Sequence, residues 1–214
     1  MLRWIGNALA SSVGKKIVLG LTGFLLLGFV FNHLAGNAKL LGGGFNEYVE
    51  MLQSFGPLLL IAEIGLALLF ACHVFLALRL TMENRKARQQ RYVVRNDRGA
   101  QTFGSISMFH TGALLLAFLL KHMLDFRLDG NFLSDPEAMV LDKLSGPGNV
   151  LIYVLASIIL GIHLSHGFRS AFQSVGLSHP KLDAVLTKAS VGLAALIALG
   201  FAAIPLYILL TKGS

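Results

Sequence analysis

Five long apolar stretches, separated by short polar connections, occupy most of the 214-residue chain, at roughly 16–36, 57–80, 102–124, 149–172 and 186–210. A hydrocarbon core about 30 Å thick needs about 20 mostly apolar residues at about 1.5 Å rise per residue, and each stretch meets that length. Inside lipid every backbone amide must bond within its own segment. Continuous apolar runs of this length satisfy that as helices, not as the alternating ten-residue strands of a barrel. The pattern predicts an all-α integral membrane protein, one membrane domain over residues 1–214 with five transmembrane helices. Composition agrees, since 55% of residues are hydrophobic and only 14% charged.

Residues 1–19 carry Arg3, Lys15 and Lys16, but their apolar part is short and broken by Asn7, Ser11 and Ser12, so a cleaved signal peptide is not expected. Trp4 reads as an interfacial anchor. The one cysteine, Cys72, falls within the second stretch, which excludes a disulfide framework, a CxxC redox pair and CxxCH haem attachment.

A net charge of +7 suggests a nucleic-acid partner until the charges are located. Arg79, Arg85, Lys86, Arg88, Arg91, Arg95 and Arg98 crowd the second connection, whereas the third holds Asp125, Asp129, Asp135, Glu137 and Asp142. The positive-inside rule makes the first of these cytoplasmic and the second external. Lys15 and Lys16 then place the amino terminus inside and the carboxyl terminus outside. The charge is a topology signal, with membrane lipid as its partner and no nucleic acid implied.

Within the apolar stretches one phrase recurs. Residues 22–33 read TGFLLLGFVFNH and residues 111–122 read TGALLLAFLLKH, so His33 and His122 stand 89 positions apart. A companion repeat joins the second and fourth stretches. His73 precedes Ala77 by four and Arg79 by six, and His163 precedes Gly167 and Arg169 by the same intervals. The first four helices are therefore expected to be two tandem copies of one helix pair, with the fifth added. Leu21 stands opposite His110 and Leu76 opposite His166, so those two histidines lack the repeat that marks the other four. His179, before Pro180, reads as a loop residue.

Helix rise converts position into depth. His33 lies roughly 25 Å and His122 roughly 30 Å from the cytoplasmic ends of their helices, while His73 and His163 lie roughly 9 Å above Arg79 and Arg169. In a bundle whose successive neighbours are antiparallel, helices one and three face each other across one diagonal, and two and four across the other. The two diagonals are occupied at depths roughly 15 Å apart, the arrangement that two stacked bis-histidine haems require. A neutral imidazole offers iron a lone pair while its other nitrogen bonds elsewhere, and two axial imidazoles suit electron transfer. Small residues nearby, Gly28, Ala117, Ala77 and Gly167, would let a flat macrocycle approach the backbone.

These motifs, with FACHVFLALR and its following NRKARQQRY and with GIHLSHGFRSAFQSVG, resemble the di-haem cytochrome b membrane-anchor subunits of succinate:quinone oxidoreductases, fumarate reductases included. The resemblance implies two haem b groups, a distal one on His33 and His122 and a proximal one on His73 and His163. It implies docking of an iron-sulfur subunit and an FAD-bearing flavoprotein on the cytoplasmic side, in a prokaryotic cytoplasmic membrane. Succinate or fumarate chemistry would belong to those partners, and this chain would pass electrons to or from a quinone, usually menaquinone, with no catalytic residue of its own.

Other residues keep two readings. Glu63, roughly level with the distal pair, is a proton or quinone candidate or a hydrogen-bonded carboxyl, and the resemblance to fumarate reductases makes Glu47 and Glu50, in the outer loop, further quinone candidates. Arg79, Arg169 and His166 are propionate candidates, although helix-end arginines also snorkel. His110 is a quinone candidate, with a structural partner as its simpler role. The anchor of a hydrogenase or formate dehydrogenase would share the histidines, and a proton-coupled transporter would use Glu63 with them.

Overall fold

A computed structural model describes residues 10–87, 103–130 and 134–212, which leaves Trp4 and Arg88 to Arg98 of the basic connection outside the described residues. Among the described residues the chain is helical, without strands. In order come α1 (Ser12–Asn37), α2 (Lys39–Gly42), α3 (Phe45–Gln53), α4 (Pro57–Ala87), α5 (Phe103–His122), α6 (Pro136–Lys143), α7 (Pro147–Ser174) and α8 (Pro180–Lys212). The five long ones, α1, α4, α5, α7 and α8, are apolar and long enough to cross a membrane, in the order expected.

Four of the five long helices outrun their apolar windows because their ends are set by caps, not by hydropathy. Ser11 accepts the Gly14 amide at 3.0 Å and starts α1 four residues early. Prolines open α4, α6, α7 and α8, where a missing N–H costs nothing and φ is already helical. α5 ends in one π-helical turn over Met123–Arg127, with the Leu128 amide bonded to the Met123 carbonyl at 2.8 Å.

α1 packs on α4 and on α7, α5 packs on α7, and α8 lies along α7 and touches α1. Small residues set the close approaches. A Cβ at Gly161 of α7 would stand 2.8 Å from the Ala198 Cβ of α8, and one at Gly20 of α1 would stand 3.3 Å from the Ala171 carbonyl oxygen of α7. The fourth side of the square, between α4 and α5, is different. An apolar groove of about 290 Å³, walled by Phe70, Val74 and Leu78 of α4 and by Leu116 and Leu119 of α5, opens along it. Side chains bridge its two ends: the Arg85 guanidinium lies 4.9 Å from the Phe109 ring centre, and Arg127 forks onto Glu63 at 2.9 and 2.8 Å.

Both ends of the bundle carry ion pairs, Lys15 and Arg79 on Glu83 and Arg169 on Asp183 at one, and Arg127 on Glu63, Lys121 on Asp125 and Lys143 on Asp129 at the other. The second end is also capped. Leu40, Phe45 and Val49 of α2 and α3 meet Val140, Leu144 and the α8 residues Ile204 and Ile208 in a buried apolar cluster. Asn46 donates to Asp135 at 3.1 Å and accepts the Glu137 amide at 2.9 Å, tying α3 to α6. Glu47 and Glu50, expected in a loop, therefore sit on a helix, α3, and are exposed there. Phe45, Tyr48, Val49 and Leu52 give that segment one apolar face at helical spacing.

Candidate functional site

The four repeat-related histidines meet as two pairs. At the capped end His33 of α1 and His122 of α5 face each other edge to face, ring centres 5.7 Å apart. Toward the basic end His73 of α4 and His163 of α7 lie within electrostatic reach of each other. Each pair joins helices that are not sequential neighbours, as a diagonal placement requires.

The capped-end pair is surrounded by rings. Phe29 stacks on His33 at 5.4 Å and Phe118 on His122 at 5.8 Å, each phenylalanine four residues before its histidine and each part of the repeated phrase. Phe201 of α8 approaches His33 at 5.9 Å, and Phe126 and Tyr153 flank His122. Hydrogen bonds to these two rings are scarce. The Nδ1 atom of His122 is buried with no hydrogen-bond partner. The Asn37 amide lies 3.4 Å from both ring nitrogens of His33, but its short bond, 2.8 Å, goes to the His33 carbonyl. A buried polar atom left unmatched is costly, so an orphaned imidazole nitrogen marks a place where a ligand fits.

The second pair is held by hydroxyls. The Thr22 Oγ1 atom is 3.0 Å from His73 Nδ1, and the Thr111 Oγ1 atom is 3.1 Å from His163 Nδ1. Both threonines are buried. The glycine after each is equivalent too, since a Cβ at Gly23 or Gly112 would stand 3.5 Å from Cε1 of the same histidine. A Cβ at Gly28 or Gly167 would meet no heavy atom within 4 Å, so both positions leave open space beside the helices that carry the pairs.

A model of the succinate dehydrogenase/fumarate reductase transmembrane subunit matches residues 81–204, more than half of the chain. The chain belongs to this family. No curated protein and no solved structure matches it. As a succinate dehydrogenase/fumarate reductase transmembrane subunit it is a multi-pass membrane protein and the membrane anchor of such a complex, associated with the complex's other subunits. The matched region runs from the basic end of α4 through most of α8 and contains one histidine of each pair, His122 and His163.

The remaining residues singled out in the sequence are dispersed. Glu63 is not a lone carboxyl in the bilayer. It is paired with Arg127 at the rim of the open seam, with side chains 35% and 50% exposed, so its charge is neutralised where it stands. Arg79 bonds Glu83 at 3.0 Å and Arg169 grips Asp183 through both Nε and Nη2, so each arginine already has a carboxylate. His166 is half-buried on α7, three positions beyond His163, and His110 is exposed beside Phe109 on α5.

Sequence reasoning did not single out a polar chain beside His122. Tyr153 of α7 donates to Asp125 at 2.7 Å, and Lys121 also donates to that carboxylate. Its signal was present, a lysine and an aspartate four apart at the end of an apolar helix.

Proposed function

We propose that this chain carries electrons between a succinate- or fumarate-reacting partner and a membrane quinone through two b-type haems. One is ligated by His33 and His122 toward the capped end, the other by His73 and His163 toward the basic end. The observation that carries the reading is the pairing itself: four repeat-related imidazoles stand on four different helices, His33 and His122 ring to ring at 5.7 Å and His73 and His163 within electrostatic reach of each other.

The donor count fits the group. A bare transition-metal ion asks for four or more protein or water donors, and among the described residues no group of three or more His, Cys, Asp or Glu comes together. Two imidazoles suffice for a metal that brings its other ligands with it, as haem iron does. Bound haem supplies a one-electron redox couple. The protein's own residues hold it and exclude water: the imidazoles bind, Phe29 and Phe118 pack against their histidines, and the apolar helix faces keep the interior dry.

The basic end is the docking side for an iron-sulfur subunit and, through it, a flavoprotein with FAD. That end is cytoplasmic by the positive-inside rule, which puts the carboxyl terminus outside in a prokaryotic cytoplasmic membrane. Family membership favours this reading over the hydrogenase or formate dehydrogenase anchor, and the Glu63–Arg127 pair removes the free carboxyl a proton-coupled transporter would use.

The test is a reduced-minus-oxidised spectrum with haem quantification on the purified protein. Two b-type haems per chain, with a flavoprotein and an iron-sulfur protein co-purifying, are expected. A preparation with well-folded chain and no b-type signal overturns the proposal.

A further inference from the structure

The Thr-Gly that opens each copy of the repeated phrase lies three helical turns from the histidine that closes it, too far to act on it. Its partner is instead the histidine of the following membrane-spanning helix. Thr22 of α1 reaches His73 of α4, and Thr111 of α5 reaches His163 of α7, with nearly equal distances of 3.0 and 3.1 Å.

Proton accounting gives the direction of these bonds. A threonine hydroxyl has one hydrogen. In Thr22 it is donated to the Leu19 carbonyl at 2.9 Å, and in Thr111 to the Ser107 and Met108 carbonyls at 3.0 and 3.1 Å. With that hydrogen on the backbone carbonyl, each Oγ1 is left to accept, and the matching imidazole tautomer carries its N–H at Nδ1. Nδ1 protonated leaves Nε2 as the bare lone pair in both rings.

We infer that Thr22 and Thr111 are positioning residues: each fixes the Nδ1–H tautomer and ring orientation of the histidine on the next membrane-spanning helix, so that both Nε2 lone pairs are presented to one metal. This rests on the haem reading above. A hydrogen bond at Nδ1 also makes Nε2 a stronger donor, which favours oxidised iron. Among the described residues no hydroxyl plays this part for His33 or His122, so the effect is expected at one level of the bundle.

The test uses the membrane-bound complex with its full chain. A redox titration of the b-type absorbance should show two waves, and the one missing from His163→Ala belongs to the inner haem. Thr22→Val keeps the shape and removes the acceptor. The expected result is a more positive midpoint for the inner wave, or roughly 10-fold or greater loss of inner haem affinity, with the outer wave unmoved. Thr22→Ser should restore the unsubstituted values, and Thr111→Val should repeat the effect from the other side. An unmoved inner wave in both valine variants overturns the inference, as does an equal shift of both waves or a failure of serine to restore. Absence of two haems from the unsubstituted complex overturns the haem reading itself, and is distinguishable because it precedes any substitution.

Discussion

The two histidine pairs are built from the same repeated sequence and held by opposite means. His73 and His163 each have a hydroxyl on Nδ1 from a neighbouring helix, while His33 and His122 sit among phenylalanines and a tyrosine with one buried nitrogen unmatched. The difference comes from geometry inside one phrase. Its threonine and histidine are eleven residues apart, roughly 16 Å along a helix, which is about the separation of the two levels. Each copy therefore serves both levels, orienting a ligand at one and supplying a ligand at the other. A substitution at one end of the phrase should disturb only one level.

The largest expected effect separates the pairs outright. His122→Ala and His33→Ala should each remove the same haem, and His73→Ala and His163→Ala the other, so each variant retains one b-type haem of two by haem quantification. If His122→Ala and His163→Ala prove to lose the same spectral component, the pairing is wrong.

The capped end offers a packing contrast. Phe45, 6% exposed in the cluster that closes this end, is expected to lose about 3–5 kcal/mol of stability as Phe45→Ala. Because the cap lies beside His33 and His122, heating should release the outer haem at a lower temperature than the inner. Simultaneous release would show that the two levels unfold as one unit. A smaller cut is Tyr153→Phe, which removes the donor to Asp125 and should cost about 0.5–1.5 kcal/mol in thermal unfolding, leaving the inner haem spectrum unchanged.

The five spans and the meeting of His33 with His122 were legible in the sequence because lipid imposes a length rule and the repeat identifies equivalent positions. The helix ends were less so. Ser11, Pro147 and Pro180 start helices by capping geometry, to which hydropathy is blind. The cap was missed for a related reason: α3 is short and amphipathic, and beside twenty-residue apolar runs its 45, 48, 49, 52 spacing reads as a connection. The partners of Glu63, Arg79 and Arg169 depend on helix rotation, which the even apolarity of the spans leaves open. The threonines were in plain view at the head of the repeat. Their role needed the distance to a histidine 51 or 52 residues away.

The smallest effect concerns pH at the cap. Asp135 begins α6 by accepting the Ala138 amide at 3.0 Å, and it also accepts from Asn46. Those bonds, the amide first, hold its carboxyl below the ordinary aspartate value of 3.8. A depressed folded pKa means that the carboxylate form stabilises the cap at any pH above the unfolded value, and that this contribution fades as pH falls through the folded one. Amide exchange at Glu137 and Ala138 should therefore be flat above about pH 5, once the intrinsic rate is removed, and should lose protection below about pH 4. Asp135→Asn keeps an N-cap acceptor without the titration, so its protection should be independent of pH across that window. On α4 the ion-paired carboxylates Glu63 and Glu83 each stand ten residues from His73, so protection of the amides around His73 should not follow the same curve. A parallel loss around His73 would mean that acid loosens the whole bundle and not the cap alone.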